Sequence, residues 1–448
     1  MDRRLSWLWL SLACGQGSRT AINLLCTFGS PERIFKADRK SLAKALGDRE
    51  TKLLTKLSNK DLSDASAILR RCDDSGIRIL SPDDAEYPRA LYQLRDAPVV
   101  LYCVGTLPRF DEHCVCSVVG TRKMSDYGRR MAYDIGRGIG AAGAVLVSGL
   151  ALGVDGMSMA GALSAGGVTV GVLGCGIDIA YPPEHKELMK RVLVNGAVIT
   201  EYPPGTPPER YHFPVRNRII SGLAQAVVVV EGDMRSGSLI TARHALYQGR
   251  DLYAVPGMIG ESGAEGPNSL IKSGARAITS AMDVLKHYEF LYSGSLCLSA
   301  AEAELKKSTT AEEAEDAAAR LNVYSRDTKK FYGGGLYGGK KSGSGKRISK
   351  KKMMERFEEN QPKPPQKKMI EAIRVDFDAL GESEKRIYEA MSPNVPVIAD
   401  DICVDGMDMP QLLAGLTMLE LCGAVECSAG GFYVRKETDN EELSAGQE

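Results

Sequence analysis

The stretch Tyr211-His-Phe-Pro-Val-Arg-Asn-Arg-Ile-Ile-Ser-Gly-Leu223 leads directly into an apolar run at residues 224–230. That run is rich in valine and ends in a turn of small residues, 231–241, which opens a helix. A turn of this kind between a strand and a helix presents backbone N–H groups to anions. The stretch therefore predicts a strand of an α/β sheet with an anion-binding lip beside it.

Four side chains of this stretch suit a ligand that carries phosphates. Arg216 and Arg218 lie two residues apart with Asn217 between them, so we expect both arginines to reach a phosphate chain. Phe213 can offer a flat face to a base. The rest of the chain has to decide which anion binds here.

Strands alternate with helices from residue 77 to about residue 292. The strands are continuous runs of valine and isoleucine, as in a parallel sheet that is covered on both faces. They are predicted at residues 77–80, 99–104, 115–119, 144–147, 168–173, 197–200, 226–230, 252–255 and 277–279. Because crossovers between parallel strands are right-handed, residues 73–292 are predicted to form a Rossmann-like, doubly wound α/β core.

The region before this core is helical. Residues 1–72 contain short helices joined by glycine turns, which is typical of SAM-like or helix-hairpin-helix modules. Such modules touch a nucleic-acid backbone, dock proteins or only cap a neighbour, and the sequence does not choose among these roles. Two arginines before a short apolar run imitate a secretory signal. Ser6 and Ser11 break that run and the helical pattern continues through Phe28, so we expect a helix of a cytoplasmic protein.

The region after the core changes character twice. Residues 293–370 are first Ala/Glu-rich and then Gly/Lys-rich, which predicts a largely disordered linker. Residues 371–436 are globular again, and three helices with a two-stranded wing predict a winged-helix domain, followed by an acidic tail at 437–448. The third helix of this domain, residues 410–419, carries no Lys or Arg, which favours protein contact or packing over the recognition of duplex DNA.

The composition excludes several classes of protein. The chain has 448 residues, 44% of them hydrophobic and 25% charged, as in a soluble protein of several domains. Its formal net charge of zero means that any nucleic-acid site is a local patch. Eleven cysteines are scattered without a CxxC pair, so we expect free thiols and no metal site. No apolar run is long enough for a membrane span.

The first loop at the carboxyl end of a predicted strand contains Gly120, Thr121 and Arg122. The glycine allows a tight turn, the threonine offers a hydroxyl group, and the arginine projects at the start of the next segment. A dinucleotide site would need a GxGxxG pattern here, and a P-loop would need GxxxxGK followed by Ser or Thr. Neither pattern is present, so we expect no bound cofactor.

Four carboxylates also follow predicted strands, namely Asp155, Asp178, Glu201 and Glu231. Pairs of carboxylates can perform acid–base catalysis. None of the four has a His or Cys partner nearby in the sequence, so the favoured interpretation is structural: they cap helices and bind Arg216 or Arg218. We therefore expect a protein that is not an enzyme.

At these loops the chain resembles the DNA-processing protein A family, also called DprA or Smf. The resemblance covers the whole length of the chain. The residues that carry it are Gly120-Thr-Arg122 with Ser125 and Tyr127-Gly128, Ser148-Gly149 with Gly153 and Asp155, Leu173-Gly174 with Asp178 and Tyr181-Pro182, Glu201 with Pro203, Phe213-Pro214, Arg216-Asn-Arg-Ile-Ile220, Ser236-Gly-Ser-Leu-Ile-Thr241, Gly249-Arg250, Val255-Pro-Gly257, and Gly266 with Asn268.

The resemblance implies a function and a set of site residues. The family binds single-stranded DNA without hydrolysing it, protects it and loads the RecA recombinase during natural transformation. It works as a dimer through the Rossmann-like domain, and single-strand-binding protein is a further partner to expect. Its pocket uses the Gly-Ser/Thr-Arg turn, a basic residue before the Phe-Pro pair, the aromatic ring and an Arg-Asn-Arg triplet. These positions are here Gly120, Thr121, Arg122, Arg210, Phe213, Arg216, Asn217 and Arg218.

Two departures from the family pattern bear on affinity. The family usually has Arg where this chain has Leu152, and Ala-His where it has Ser158-Met159. The alternative function is that of a LOG-type nucleoside monophosphate phosphoribohydrolase, which shares the Rossmann-like shape. That family needs a Pro-Gly-Gly-x-Gly-Thr turn with a catalytic Glu, and residues 234–241 lack this pattern.

Overall fold

The computed structural model describes residues 2–47, 51–307, 381–391, 396–398, 425–428 and 432–435, together with single residues between 314 and 319 and between 402 and 424. It divides the chain into two units, Met1–Gly334 and Gly335–Glu448. Most of the predicted linker and the predicted acidic tail lie outside the described residues.

The first unit begins with a helical layer. Its described helices are α1 (Arg3–Cys14), α2 (Arg19–Phe28), α3 (Pro31–Lys36), α4 (Arg39–Leu46), α5 (Thr51–Asn59) and α6 (Ser63–Asp74). Asp2 caps α1 by accepting the Arg4 N–H at 2.9 Å, and Gly29 ends α2 in a left-handed conformation with φ of 84°. Leu8 and Leu10 are completely buried. The apolar run that imitates a signal therefore packs in the core of this layer.

A twisted sheet follows the helical layer. The strands of the first unit are β1 (Arg78–Leu80), β2 (Leu101–Gly105), β3 (Val115–Val119), β4 (Val145–Ser148), β5 (Thr169–Leu173), β6 (Gly196–Thr200), β7 (Ala226–Val229), β8 (Asp251–Ala254) and β9 (Arg276–Ala277). Within the described residues their order is β1-β2-β6-β5-β4-β3-β7-β8-β9. The strands from β6 to β9 in this order are parallel, which confirms the predicted core.

The first two strands are the exception to the predicted parallel arrangement. Strand β1 pairs with β2, and β2 pairs with β6, in antiparallel orientation. Short turns rather than a long helical crossover join β1 to β2, and a parallel pair would need such a crossover. The antiparallel pair therefore forms one edge of the sheet.

Helices cover both faces of the sheet, as expected for a doubly wound fold. They are α7 (Asp126–Ala141), α8 (Val154–Ser164), α9 (Lys186–Val194), α10 (His212–Leu223), α11 (Gly237–Tyr247), α12 (Ser262–Lys272), α13 (Met282–Leu285) and α14 (Leu298–Leu305). Strand β3 shows the two faces: Cys116 and Val118 belong to the core under α7 and α8, whereas Val115 and Val119 belong to the core under α10 and α11. Alternate residues are thus buried on opposite sides.

Helices α7 and α8 lie against each other through their backbones. A Cβ atom on Gly136 would overlap the Ser158 carbonyl, and one on Gly161 would overlap the Tyr133 carbonyl. At Gly140 the added Cβ would lie 2.6 Å from the Ala162 carbonyl oxygen. Small residues allow this close approach of the two backbones. The two helices begin directly after β3 and β4, so their packing fixes the loops that precede them.

Two segments differ from the sequence-based expectation. Residues 212–223 form helix α10, for which no helix was predicted. Pro214 is its third residue, in the first turn, where the N–H has no partner in a helix and its absence costs nothing. Helix α14 lies inside the residues predicted as linker, and it packs on α7: the Arg137 Nη2 donates to the Lys307 carbonyl at 3.0 Å.

The second unit contains α15 (Glu382–Ala390) and strands β10 (Pro396–Ile398), β11 (Val425–Ser428) and β12 (Phe432–Arg435). Strand β12 pairs with both others, and it forms the predicted hairpin with β11. The Arg435 guanidinium lies 4.2 Å from the centre of the Tyr388 ring and donates to the Met391 carbonyl at 2.9 Å. Much of the predicted third helix lies outside the described residues, but Leu412, Leu416 and Leu419 are described as helical and buried.

Candidate nucleic-acid interface

The strand order reverses between β3 and β7, which are neighbours in the sheet although three strands separate them along the chain. On one side of this point the chain continues through β4 and β5, and on the other through β8 and β9. In open α/β sheets, ligands bind in the crevice at the carboxyl ends of the strands at such a switch point. The predicted loops after β3, β4 and β5 meet here.

The turn after β3 holds Arg122 at the surface. The Thr121 N–H donates to the Glu231 carbonyl at 2.7 Å, which fixes the turn to the end of β7. Gly120 fits because a Cβ atom there would lie 2.8 Å from the Val154 Cβ. The Arg122 side chain is exposed. The turn is thus rigid while its guanidinium group faces solvent.

A small pocket includes the ring of Phe213 in its lining. Tyr181 stacks on this ring with 5.5 Å between the centroids and an angle of 30°. The Arg122 guanidinium lies 5.5 Å from the centroid of Phe213, and that of Arg216 lies 5.8 Å away. Leu152 completes the lining. An aromatic face framed by two guanidinium groups suits a base with its adjoining phosphate.

Glycine at position 174 permits this arrangement. A Cβ atom on Gly174 would lie 3.0 Å from the Phe213 Cδ1, so the ring rests on bare backbone at the end of β5. Behind it, the Nδ1 of buried His212 lies 3.1 Å from the Gly174 carbonyl oxygen, and the His212 ring lies 4.1 Å from that of Tyr202. Since the carbonyl can only accept, Nδ1 carries the hydrogen and donates it. Burial lowers the pKa of His212.

Arg216 joins the floor of the pocket to the loop after β4. Its side chain is buried, with the residue only 4% exposed, and Nη1 donates to the carbonyls of Gly149, at 2.8 Å, and Val172. Burial lowers the pKa of Arg216 to about 10, although Asp155 acts in the opposite direction. A Cβ atom on Gly149 would lie 2.6 Å from both the Arg216 Nη2 and the Asp155 Oδ2. Only glycine leaves room for this pair of charges.

Backbone strain marks the same loop. Leu150 has φ of 53°, in the left-handed region that residues with a side chain rarely adopt. Its carbonyl oxygen lies 2.9 Å from the Nδ1 of buried His185, and the preceding carbonyl, of Gly149, accepts from Arg216. Two buried side chains therefore hold the loop in a conformation that it would not adopt alone.

Arg218 points away from the pocket. It is 2% exposed, its Nη2 donates to the Glu201 Oε2 at 2.6 Å, and its Nε lies 3.8 Å from the Asp96 Oδ2. Burial alone would lower the pKa of Arg218, but Glu201 and Asp96 together raise it. Burial also raises the pKa of Glu201, against the effect of Arg218 and of the Gly17 N–H at 3.1 Å. We take the guanidinium as charged, because arginine keeps its proton in proteins. In this structure Arg218 does not reach a phosphate chain.

The other two predicted residues occupy distinct positions. The Asn217 Nδ2 donates to the Gly237 carbonyl at 3.3 Å, and its Oδ1 accepts from the Arg216 Nε at 3.2 Å. Arg210 is exposed in the turn before α10, outside the described lining of the pocket. The Arg-Asn-Arg triplet therefore ties α10 to three neighbours: the β4 loop, the start of α11 and the β6 loop.

Two of the four predicted carboxylates lie beside the arginines of α10, and Asp178 has other partners. Asp155 lies beside Arg216, and Glu201 pairs with Arg218. The Asp178 Oδ2 accepts from Arg71 at 2.6 Å, and its Oδ1 accepts the Gly205 N–H at 2.8 Å. Within the part of the chain that the structure describes, no cluster of His, Cys, Asp and Glu could hold a metal ion.

Glu231 fills the position that a bound phosphate would take. Its carboxylate accepts the Ser125 N–H at 2.9 Å and the Ser125 hydroxyl, at the start of α7. It is only 7% exposed, and a Cβ atom on Gly128 would overlap it. The N-terminus of α7 is where a dinucleotide of a Rossmann fold places its pyrophosphate. Here a carboxylate of the protein itself occupies that end of the helix, which sequence spacing alone did not indicate.

Comparisons with known proteins agree with this architecture. The family model for DNA recombination-mediator protein A matches residues 78–289, and that for the DprA winged helix domain matches residues 377–431, which confirms the predicted winged helix. The chain is 41% identical over 219 residues to the DNA processing protein DprA of Bacillus subtilis, covering 49% of this chain and 74% of the relative. It is 42% identical over 204 residues to DprA of Streptococcus pneumoniae, covering 46% and 72%.

A solved structure shows the same likeness in three dimensions. The X-ray structure of DNA processing protein A (DprA) from Streptococcus pneumoniae superposes with a TM-score of 0.55 and 33% sequence identity. The alignment covers 62% of this chain and 95% of that one. Among the helices that the structure describes here, none is long and apolar enough to cross a membrane.

Proposed function

Because the chain belongs to the DNA-processing protein A (DprA/Smf) family, we propose that its α/β core binds single-stranded DNA without cutting it. The observation that carries this proposal is the Phe213 ring, which lies at the switch point between the guanidinium groups of Arg122 and Arg216. Stacking on an aromatic ring tolerates any base, because every base has a π-face. A nearby cation holds the phosphate that joins this base to the next.

The shape of the pocket favours an unpaired strand over a duplex. Tyr181 already covers part of the Phe213 ring, and the pocket is small. A base can reach such a ring only after it leaves the stack of a double helix, which costs a few kcal/mol. An unpaired strand does not pay this cost, so it is the preferred ligand of the crevice.

The proposed assignment divides the predicted site residues into two groups. Arg122 and Phe213 contact DNA directly, and Arg210 contacts the strand beyond the pocket from its exposed position before α10. Gly120, Thr121, Arg216, Asn217 and Arg218 hold these groups in place. Arg216 also contributes its charge to the pocket, since its guanidinium faces the Phe213 ring.

The proposed partners follow from family membership. The protein presents bound DNA to the RecA recombinase during DNA uptake, works as a homodimer through the Rossmann-like domain, and exchanges DNA with single-strand-binding protein. Two crevices in one dimer would bind one strand with a higher effective concentration than either alone. This explains how a crevice with few exposed cations could hold DNA firmly.

The competing enzymatic function has no support in the crevice. A nucleoside monophosphate would place its phosphate on the N-terminus of α7, where Glu231 already accepts the Ser125 N–H. Incubation with nucleoside monophosphates tests this directly. No release of free base is the expected result, and base release at a rate that depends on Glu231 would contradict the proposal.

Fluorescence anisotropy with labelled oligo-dT tests the proposal itself. We expect Phe213→Ala to weaken binding by about 1–3 kcal/mol, which is typical for the loss of one stacked base. Tyr247→Ala is a matched control, because Tyr247 is an exposed aromatic residue on α11 outside the pocket lining. Equal affinities of Phe213→Ala and the unmodified protein would place the DNA elsewhere.

A further inference from the structure

A second charged surface lies on the helical layer, and the crevice does not use it. Between residues 31 and 60 the sequence contains nine cations and four acids, in a chain whose formal net charge is zero. Seven of these cations are exposed, and we call them the basic face: Arg33, Lys36, Arg39, Lys40, Lys44, Lys52 and Lys56. None of the seven pairs with a carboxylate that the structure describes.

The spacing of the lysines places them on the outer side of two neighbouring helices. Lys40 and Lys44 lie four residues apart on α4, and Lys52 and Lys56 lie four apart on α5, so each pair shares one side of its helix. Leu42, on the opposite side of α4, is completely buried. Since α4 packs against α5, the two pairs lie on neighbouring helices.

The described acidic groups of this segment do not neutralise the basic face. The Asp38 carboxylate accepts the Ser41 N–H at 2.7 Å and caps α4. The Glu32 carboxylate accepts the Ser6 hydroxyl at 2.6 Å, on the inner side of the layer. Each acid is thus engaged in holding a helix in place.

Lys60 shows what a structural lysine looks like in the same layer. Its Nζ donates to the carbonyls of Ile34, at 3.2 Å, and Ala37, at 3.1 Å. It also lies 5.5 Å from the centroid of the Trp9 ring. The lysines of the basic face have no such contacts to described residues, so protein structure does not account for them.

We propose that the basic face binds the phosphate backbone of duplex DNA, independently of the crevice that takes the unpaired strand. No aromatic ring is exposed among the described residues of segment 31–60, and single strands are bound through stacking on such rings. A duplex instead offers about one charge per 1.7 Å of its axis, which lysines can contact without reading bases. The two sites together would hold a single strand and a duplex on one chain.

Anisotropy of a labelled short duplex, with the full-length protein and a saturating excess of unlabelled oligo-dT, tests this proposal. We expect Lys40→Gln/Lys44→Gln and Lys52→Gln/Lys56→Gln each to weaken duplex binding by about tenfold and to make the slope of log K against log salt shallower by about 1.8, because two phosphate contacts are lost. Arg191→Gln/Lys286→Gln removes two exposed cations of the α/β core and is the control.

The single-stranded site provides the second readout. Arg122→Ala should weaken oligo-dT binding and leave duplex binding unchanged, so a failure of the crevice and a failure of the basic face are separable. The proposal is overturned if both lysine pairs behave like the control, or if oligo-dT displaces the duplex. It is also overturned if the protein binds no duplex but binds acidic polypeptide through these lysines. Thermal unfolding of each variant should match the unmodified protein.

Discussion

The turn at Arg122 and the helix at Arg216 and Arg218 look alike in sequence, since each joins arginine to small or polar residues. In the structure they differ completely. Arg122 is exposed above the Phe213 ring, whereas Arg218 is buried against Glu201. The difference teaches that a cation is available to a ligand only where the protein has not already paired it. The number of arginines in a motif therefore overstates the charge that the motif offers to a ligand.

The largest expected effect comes from breaking the buried ion pair between Arg218 and Glu201. Arg218→Met leaves Glu201 without its ion pair in a site that is almost fully buried. Removing one partner of a buried pair costs about 3–5 kcal/mol, because an uncompensated charge remains. Urea unfolding should show this loss in the free energy of unfolding.

A double variant separates the cost of leaving Glu201 unpaired from the net contribution of the ion pair to the free energy of unfolding. Glu201→Leu/Arg218→Met replaces both charges with apolar groups and should recover most of the stability, as is often seen for buried pairs. If Arg218→Met unfolds at the same urea concentration as the unmodified protein, Arg218 is not structural and its assignment here fails.

For the exposed Arg122 we expect the opposite: a loss of binding without a loss of stability. Arg122→Ala should weaken binding of oligo-dT by about 1–3 kcal/mol and make the salt dependence shallower by about 0.7, the value for one phosphate of a single strand. Its free energy of unfolding should stay within about 0.5 kcal/mol of the unmodified protein, as for surface substitutions. Arg130→Ala, an exposed arginine on α7, is the matched control. A stability loss without a binding loss would reverse the roles of the two segments.

Leu152 sharpens the comparison, because it lines the pocket at the position where the resemblance leads us to expect arginine. Leu152→Arg adds an unpaired cation beside Phe213, so we expect tighter binding of oligo-dT, with a salt dependence steeper by about 0.7. Leu152→Gln extends the side chain without the charge and is the control. An unchanged salt slope for Leu152→Arg would show that this side of the pocket does not meet a phosphate.

The smallest effect concerns pH. Burial lowers the pKa of His212 and of His244, so both rings take up a proton at a lower pH in the folded protein than in the unfolded chain. An unfolded chain binds their protons below about pH 6.5, and stability is therefore full above that pH and falls as the pH drops through the lower folded values. Each group contributes at most about 1.4 kcal/mol per pH unit. Urea unfolding between pH 7 and pH 5 should show this slope, and His212→Gln should reduce it.

Much of the fold could be predicted because its signals are local. Nine short, mostly apolar runs predicted the strands of the sheet within about two residues, and the strands at the centre of the sheet, from β3 to β7, are completely buried runs. The antiparallel edge of β1 and β2 was not predicted, because the direction of a strand depends on its neighbour. The orientation of Arg216 and Arg218 was missed because helix α10 was missed. Each residue of an α-helix is rotated by about 100° from the one before it. Arg216 and Arg218 are two residues apart, so their side chains point about 200° apart and face opposite ways.

The candidate site depended on contacts that no spacing reveals. Gly149 lies 67 residues before its partner Arg216, and Glu231 lies 106 residues after Ser125. The motif residues could be named from their resemblance to a family, but whether each contacts ligand or protein depends on these distant partners. Tyr181 is the clearest omission: it covers one face of Phe213, and only its place beside Pro182 in a shared motif marked it.

The bare-backbone contact between α7 and α8 has a consequence for how quickly a ligand is captured. No side chains separate α7 and α8 at Gly136 and Gly161, so the two backbones are in direct contact. The two helices therefore move together rather than slide past each other. The turn at Arg122 and the strained loop at Leu150 sit on the ends of these two helices, so they form one preassembled cradle. If the crevice binds an unpaired strand as proposed, we expect the strand to meet its final geometry at first encounter. The association rate should then depend on collision and ionic strength rather than on an opening of the protein.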